Sequence, residues 1–495
     1  MRHHYPALLV VVPLLSAFLC SGLGWIKRRL CFPVALLGLV LTTWAALGLL
    51  LQVLEGGPVQ YRLGGWDAPW GIEYRVDHLN SLILALVSLL AFVNLVASRR
   101  SIEAEFPGKE GAFYTLYTLF VTGLMGIVVT GDLFNLYVLL EVTSLTGYAL
   151  IALGRDPAPL ASLNYVFIGT IGASFYLLGV GYLYIMTGSL NMADVAGILP
   201  RMYGSGAVVV AFIFCMVGIW IKMAFFPLHV WLPNAYTYAP SAASGLIAPL
   251  MTKVMVYVMI RIMLSVFTPL FSFGVLALHE PMVWMATLAV LAGALLALAQ
   301  TNLKRMLCYI LVSEIGYMVG GMWLGNRAGL TGAVLHIVND ALMTLCLFLV
   351  ASNIVYRIKG LDRGDLKGLF HRMPFTMAAL VTGALSIIGV PPTCGFFSKW
   401  YLISGAIQAG HYGFMAALLA SSLINAILFF RVFELAYFEP LGKHQETGNQ
   451  CTRHEAPFEM LAPLLAVAAG LVLVGLYTGD IVTLFIDAVI PEGWT

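Results

Sequence analysis

Apolar segments of about 20 residues recur from end to end of this chain, and no other feature constrains its fold as strongly. Each is long enough to cross a bilayer as a helix. The 495-residue sequence is 60% apolar and 10% charged, whereas soluble domains carry about 25% charged residues. No polar stretch is long enough to fold as a soluble domain. The sequence therefore predicts an all-α polytopic membrane protein with about fourteen transmembrane helices.

The basic residues test the count of fourteen segments. The segments span residues 6–24, 31–54, 78–98, 111–130, 132–153, 161–187, 206–225, 241–266, 281–300, 304–324, 328–356, 374–404, 411–438 and 459–487. With the N-terminus outside, 16 Lys and Arg residues fall in the loops that are then cytoplasmic and 4 in the opposite loops. This bias obeys the positive-inside rule. We therefore expect a bacterial inner-membrane protein with both termini on the outer, periplasmic side and a retained first helix.

Five of the 26 basic residues lie inside predicted helices instead of loops. They are Lys222, Lys253, Arg261, Lys399 and Arg431. A charge at the bilayer centre costs roughly 2.5–3.5 kcal/mol on insertion scales, so an intramembrane ionisable residue indicates function by default. Arg261 lies closer to a helix end, where an arginine typically snorkels to the surface. We interpret it as an anchor.

Glu141 and Lys222 are predicted to be partners. Glu141 lies in the apolar stretch LFNLYVLLEVTSLTGYALIAL and Lys222 near the end of GAVVVAFIFCMVGIWIKM. A carboxylate in an apolar helix must be protonated or paired with a cation, because desolvation disfavours its charged form. A pair that opens and closes would pass a proton, whereas a static pair would only pin two helices.

Four further residues are candidates for a proton relay. Lys253 in SGLIAPLMTKVMVYVMIRIML has no short route to the surface. Asp340 follows His336 at i+4, so the two share a helix face. Imidazole titrates near neutrality, which makes such a pair suitable for proton transfer. Glu314 in CYILVSEIGYMVGG is a candidate for the same relay, with a buried hydrogen-bonding role as the alternative.

Two helices are predicted to be broken, one at Pro227–Pro233 and one at Pro391–Gly395, just before Lys399. Unwound backbone is tolerated in a membrane only where it lines a cavity or is packed in protein. The breaks fall in the seventh and twelfth segments, and breaks at corresponding positions of two halves indicate an internal repeat. We expect three N-terminal helices (1–110), two inverted five-helix repeats (111–266 and 281–438), and a C-terminal helix and tail (459–495).

The sequence contains no signature of a bound cofactor or metal. Its seven cysteines form no C-x-x-C pair, and most lie in apolar segments as small hydrophobic residues. No phosphate-binding G-x-x-x-x-G-K-[ST] loop is present. We expect no redox centre and no ATP hydrolysis in this chain, and its small net charge of +2 gives no indication of nucleic-acid binding.

Three stretches resemble a known family: GDLFNLYVLLEVTSLTGYALIALGRDP, IKMAFFPLHVWLPNAYTYAPS and GVPPTCGFFSKW. They are similar to the antiporter-like proton-translocating subunits of complex I, membrane-bound hydrogenases and Mrp-type Na+/H+ antiporters. GIEYRVDHLNSLILAL and YIMTGSLNMADVAGIL favour the branch of the Mrp D subunits. The resemblance implies that Glu141 and Lys222 form the essential pair, that Lys253 and His336 continue the relay, and that Lys399 ends it.

The central motif departs from the family pattern H-x-x-N-H-A-L-x-K. Asp340 stands where a histidine is usual, Thr344 where a lysine is usual, and Glu314 where a histidine or glutamine is common. Two basic positions are thus lost and two acids gained. We expect the centre of the relay to work at a different pKa or to handle a cation.

The function predicted is that of a proton-translocating subunit of a multisubunit Na+/H+ antiporter, with other membrane subunits as partners. Protons would move along a midplane chain of Glu141, Lys222, Lys253, His336 with Asp340, and Lys399. One alternative is a proton-pumping subunit of a complex I-like NADH:quinone oxidoreductase or a membrane-bound hydrogenase. The other is a structural subunit that transports nothing.

Overall fold

The computed structural model describes residues 2–438 and 454–494, and within them the chain is almost entirely helical. The helices are α1 (Tyr5–Ile26), α2 (Cys31–Gly56), α3 (His78–Glu105), α4 (Glu110–Val129), α5 (Leu133–Ala152), α6 (Ala158–Thr187), α7 (Met192–Ile198), α8 (Gly206–Met223), α9 (Trp231–Tyr238), α10 (Ser241–Arg261), α11 (His279–Leu298), α12 (Leu303–Trp323), α13 (Arg327–Ile358), α14 (Leu369–Arg372), α15 (Pro374–Ile388), α16 (Cys394–Gln408), α17 (Tyr412–Phe438), α18 (Phe458–Leu476) and α19 (Thr478–Ile481). Two strands, β1 (Val59–Arg62) and β2 (Glu73–Val76), form an antiparallel hairpin between α2 and α3. Lys443 and Arg453, which the charge count places in a cytoplasmic loop, lie outside the described residues.

Thirteen helical stretches among the described residues are long and apolar enough to cross a membrane. The remaining predicted segment, the twelfth (374–404), is present as two shorter helices, α15 and α16, separated by a break. The predicted fold, an all-α membrane protein of about fourteen spans with two broken helices, is therefore confirmed. The spans that include α10, α12 and α13 are the most deeply buried in the bundle.

The first break separates α8 from α9. Helix α8 ends at Met223, and Ala224 takes a left-handed conformation with φ of 61°. Pro227 follows, and it lacks the backbone N–H that a continuing helix would need. The indole Nε1 of Trp231 donates to the carbonyl of Ile221 at 3.0 Å, so a side chain satisfies one acceptor freed at the end of α8.

The second break separates α15 from α16. Gly389 follows α15 with φ of 92°, a conformation that favours glycine, and Pro391 and Pro392 come next. The amide of Asn339 on α13 donates to the carbonyl of Cys394 at 2.8 Å. Both breaks are thus packed in protein, as unwound backbone inside a membrane must be.

The two groups of helices pack in the same order. In the first, α4 packs on α5 and α5 on α6, α6 runs along both halves of the broken helix, and α10 contacts α4 and α8. In the second, α11, α12 and α13 follow the same order, α13 runs along α15 and α16, and α17 contacts α11 and α15. Helix α10 of the first group packs against α13 of the second. This contact brings the polar residues of the two groups together.

Candidate functional site

Lys222 and Glu141 meet where α8 packs near α5. The ammonium Nζ lies 3.6 Å from Glu141 Oε1. It donates to the hydroxyl of Ser144 at 2.7 Å and approaches the hydroxyl of Tyr148 at 3.4 Å. Ser144 gives its own hydrogen to the carbonyl of Leu140, so it can only accept from the lysine. Lys222 is fully buried, whereas 26% of the Glu141 side chain is exposed.

Lys253 and Asp340 form the second ion pair, which joins α10 of the first repeat to α13 of the second. Nζ lies 2.9 Å from Asp340 Oδ2, and both side chains are buried. The ammonium also donates to the hydroxyl of Thr344 and to the carbonyl of Ala248, each at 3.3 Å. Thr344 in turn donates to the second oxygen of Asp340 at 2.9 Å. The two residues that depart from the family pattern, Asp340 and Thr344, therefore both bind the ammonium of Lys253.

His336 pairs with Glu314 and not with Asp340, which corrects the expectation of a titratable pair at i and i+4. Nε2 lies 2.6 Å from Glu314 Oε2 on α12, and Nδ1 lies 2.9 Å from the hydroxyl of Ser398 on α16. The two residues share a helix face, but their partners stand on different neighbouring helices: α12 and α16 for His336, and α10 for Asp340. The spacing of two residues in the sequence predicts that they share a helix face, but it does not predict which neighbouring helices cover that face.

The hydrogen bonds around His336 place one hydrogen between its imidazole and the carboxyl group of Glu314. The hydroxyl of Ser398 donates to the carbonyl of Gly395, so it must accept from Nδ1–H of the imidazole. Nε2 and Glu314 then share a single hydrogen, carried by either the imidazole or the carboxyl group. The pair is neutral overall in both cases, so a proton can shift across 2.6 Å without a change in net charge.

Lys399 lies on α16, the second half of the second broken helix, shortly after the break. Its ammonium donates to the carbonyl of Ile387 at 2.6 Å and to the hydroxyl of Ser422 on α17 at 3.0 Å. It also stands over the ring of Tyr317, 5.0 Å from the centroid. The hydroxyl of Tyr317 is hydrogen-bonded to Ser421. The lysine is buried, with oxygen acceptors but without a carboxylate within ion-pair distance among the described residues.

The two repeats place their ammonium groups at equivalent points. Lys222 lies five residues before Pro227, and Ile387, whose carbonyl holds Lys399, lies five residues before Pro392. Both cations thus sit at the C-terminal end of the first half of a broken helix, where the helix dipole favours positive charge. The sequence hides this equivalence, because Lys222 precedes its break whereas Lys399 follows its own.

The buried oxygens of these groups that lack a hydrogen-bond donor within the described residues are Oε1 of Glu314, Oδ1 of Asn339 and Oε1 of Glu141, which has only the Lys222 ammonium beyond hydrogen-bond distance, at 3.6 Å. A buried acceptor without a donor is costly. These oxygens are therefore available to water or to a side chain that moves, which is what a proton path needs.

Comparisons with known proteins show the family to which the chain belongs. Residues 130–425 match the family described as "NADH:quinone oxidoreductase/Mrp antiporter, TM". The chain belongs to this family. It is 41% identical to NADH-quinone oxidoreductase subunit N of Desulforudis audaxviator, with 99% of each chain covered. It is 30% identical to the Na(+)/H(+) antiporter D subunit of Alkalihalophilus pseudofirmus, with 94% of this chain and 93% of the relative covered. A chain of the Mrp complex from Dietzia sp. superposes with a TM-score of 0.89 at 25% identity, with 99% and 97% covered.

Arg261 of this antiporter-family chain is not a snorkelling anchor, because it is held by a carboxylate inside the bundle. Its guanidinium makes a two-pronged ion pair with Asp77, at 2.6 and 3.0 Å. Burial raises the pKa of the Asp77 carboxyl, but Arg261 and the backbone N–H groups of Leu79 and Asn80 lower it more, so the net shift is downward. Asp77 lies in the loop after β2, 184 residues before its partner, and sequence spacing gave no signal for the pair.

No group of three or more His, Cys, Asp or Glu side chains is arranged to hold a metal ion anywhere in residues 2–438 and 454–494. The side chains that this site brings together are buried acids, lysines and one histidine.

Proposed function

We propose that this chain moves protons along a midplane chain of buried side chains as a subunit of a multisubunit monovalent cation (Na+)/H+ antiporter. Its membership of the antiporter and complex I membrane family supports the general activity. The observation that carries the proposal is the succession of pairs Glu141–Lys222, Lys253–Asp340 and His336–Glu314, followed by Lys399. Each of these pairs joins two different helices, so a small movement of a helix can break it.

The mechanism rests on opening and closing these pairs. When Glu141 leaves Lys222, the buried ammonium loses its counter-charge, and desolvation favours release of its proton. Lys253 receives the proton only if Asp340 stabilises its charged form. The shared hydrogen between His336 and Glu314 then moves towards Lys399. In this proposal residues 111–266 and 281–438 are the two halves of the path, and both termini face the periplasmic side, as the basic loops indicate.

The exposed side of Glu141 supports an assembly with other subunits. Phe134, Val138 and Leu145 are exposed on the same face of α5, at the 3.6-residue period of a helix. Glu141 lies in the middle of this apolar stripe, and 26% of its side chain is exposed there. A carboxylate facing lipid is expensive. A neighbouring subunit that covers the stripe would remove that cost and extend the polar chain.

The test is Lys222→Met in the native complex, assayed for Na+-dependent proton exchange in vesicles. Methionine keeps the length of the side chain and removes the charge, so we expect exchange to be lost at normal assembly. Lys304→Met is the matched control, because Lys304 is also buried but its ammonium only caps the carbonyl of Ala239 at 2.6 Å. Full exchange in Lys222→Met would instead indicate a structural subunit that transports nothing.

A second candidate function is proton pumping driven by a redox complex. The observation that favours it is the full-length identity of 41% to an NADH-quinone oxidoreductase subunit N, against 30% to the D subunit of an Na(+)/H(+) antiporter. Purification of the native complex discriminates the two. Small antiporter subunits and Na+-dependent exchange support the first function, whereas iron–sulfur or nickel subunits and quinone-dependent or hydrogen-evolving proton uptake support the second.

A further inference from the structure

The end of α10 near the β1–β2 hairpin borders two adjoining cavities. The first has a volume of about 280 Å³ and reaches Glu73, Thr130 and Met192. The second has a volume of about 490 Å³ and reaches Pro58 and Glu492 on the side of the molecule that carries the hairpin, the hairpin face. The two cavities share four lining residues: Arg75, Asp77, Arg261 and Ser265. The Arg261–Asp77 ion pair therefore stands at the floor of a space that is large enough for several water molecules.

A ladder of polar side chains leads from this floor into the bundle. Lys253, Tyr257 and Arg261 follow each other at i, i+4 and i+8 on α10, so they share one helix face. Arg261 Nε donates to the hydroxyl of Tyr257 at 3.1 Å, and this hydroxyl donates to the carbonyl of Val128 at 3.1 Å. Tyr257 is buried, and Lys253 lies one turn below it. The Tyr257 hydroxyl thus lies between the cavity and the turn of α10 that carries Lys253, whose ammonium is turned the other way, towards the carbonyl of Ala248 at 3.3 Å.

We propose that Lys253 exchanges protons with the medium at the hairpin face through Tyr257, and that the Arg261–Asp77 pair is the gate of this path. The proposal rests on the proposed function, because it gives the central relay an access route. With the gate closed, the guanidinium occupies both Asp77 oxygens and the Tyr257 hydroxyl. A fixed positive charge at a neck also opposes the passage of protons.

The proton balance of the path is simple. Lys253 leaves Asp340, turns on its flexible four-carbon stem towards Tyr257, and gives one proton to the hydroxyl oxygen directly or through water. The hydroxyl releases its own hydrogen to a water in the cavity or to the Asp77 carboxylate once Arg261 has moved away. An ammonium and a carboxylate become an amine and a carboxylic acid, and the tyrosine is restored.

A purely structural clamp between α3 and α10 would explain the ion pair but not the hydroxyl below it. The first test is therefore Tyr257→Phe in the intact complex, which keeps the ring and removes the hydroxyl. Tyr176→Phe is the matched control, because Tyr176 is equally buried and its hydroxyl also donates to a backbone carbonyl, that of Leu133, at 3.2 Å. We expect Tyr257→Phe to slow coupled proton transport by on the order of tenfold or more, as loss of a positioned proton-transfer group does, and the control to leave it unchanged.

The second test opens the gate. Asp77→Asn keeps the cap of α3, since Asn caps helices as well as Asp, but releases Arg261. The variant Tyr257→Cys should then react with a membrane-impermeant methanethiosulfonate added from the hairpin face, and should stay unreactive when Asp77 is retained. The variant Tyr176→Cys should be unreactive both with Asp77 and with Asp77→Asn. The six cysteines among the described residues are buried, and Cys451, which lies outside them, is replaced by Cys451→Ser in every variant.

Two results would overturn the path: equal transport in Tyr257→Phe and Tyr176→Phe, or labelling at position 257 that does not depend on Asp77. Lys222→Met, measured in parallel, separates this outcome from failure of the proposed function. If Lys222→Met abolishes transport while Tyr257→Phe matches its control, the relay stands and only the access route at the hairpin face is wrong. If Lys222→Met transports normally, the relay itself is wrong.

Discussion

At the scale of single residues, the Lys253–Asp340 ion pair is the contact whose loss should destabilise the fold most, because both charges are buried and each is the other's counter-ion. Asp340→Asn would leave a buried ammonium without a countercharge. We expect it to destabilise the fold by about 3–5 kcal/mol, the cost of breaking a buried ion pair. Thermal unfolding of the purified protein measures this effect. Thr344→Val, which removes one hydroxyl from the same cluster, should cost only about 1 kcal/mol.

The double variant Lys253→Met with Asp340→Leu separates stability from transport. Replacing a buried ion pair by apolar residues of similar volume is often neutral or stabilising. We therefore expect the double variant to unfold near the unmodified protein and to transport no protons. Transport at the normal rate in this stable variant would show that the pair has no part in the relay.

How much of the site could be predicted from sequence differs from residue to residue. Glu141 and Lys222 could be matched because each is the lone charge in its own apolar segment. The partner of His336 could not be found, because helix periodicity gives a face but not the helix that covers it. Asp340 shares that face and was the nearest acid in sequence, whereas Glu314 comes from α12 and is 22 residues away.

At the scale of helices and strands, local chemistry made the breaks predictable, since Pro227, Pro391 and Pro392 each lack the N–H of a helix interior. The β1–β2 hairpin carried no comparable signal. The consequence of missing it was the wrong interpretation of Arg261, whose partner Asp77 follows β2 directly. A contact between one helix end and a loop 184 residues earlier depends on the packing of the whole bundle.

The Arg261–Asp77 link between α3 and α10 predicts a pH dependence of stability. Burial raises the pKa of Asp77, but Arg261 and two backbone N–H groups lower it by more. The pKa of this carboxyl in the folded protein is therefore below the usual value of about 3.9. The stability it contributes is fully present above that value and is lost as the pH falls through the lower pKa of the folded state. Unfolding temperatures measured from pH 7 downwards should therefore drop more steeply below about pH 4 in the unmodified protein than in Asp77→Asn. Parallel curves would contradict the link.

At the scale of the whole molecule, the two repeats present equivalent glutamates to different surroundings. Glu141 on α5 is 26% exposed within an apolar stripe, whereas Glu314 on the corresponding helix α12 is fully buried against His336. The two carboxyl groups can therefore be told apart by a reagent that reaches them only from the lipid phase. A hydrophobic carbodiimide is such a reagent, since it dissolves in the bilayer and reacts with protonated carboxyl groups.

We expect dicyclohexylcarbodiimide to modify Glu141 in the isolated chain in detergent or lipid, and to modify it much less in the intact complex. Glu314 is the internal control and should stay unmodified in both preparations. Mass spectrometry of the peptides that contain each residue measures the two extents. Protection of Glu141 in the complex would mean that a partner subunit covers the stripe of Phe134, Val138 and Leu145. Equal modification with and without partners would mean that this face meets lipid, and the polar chain would then have to begin at Lys222, inside the bundle.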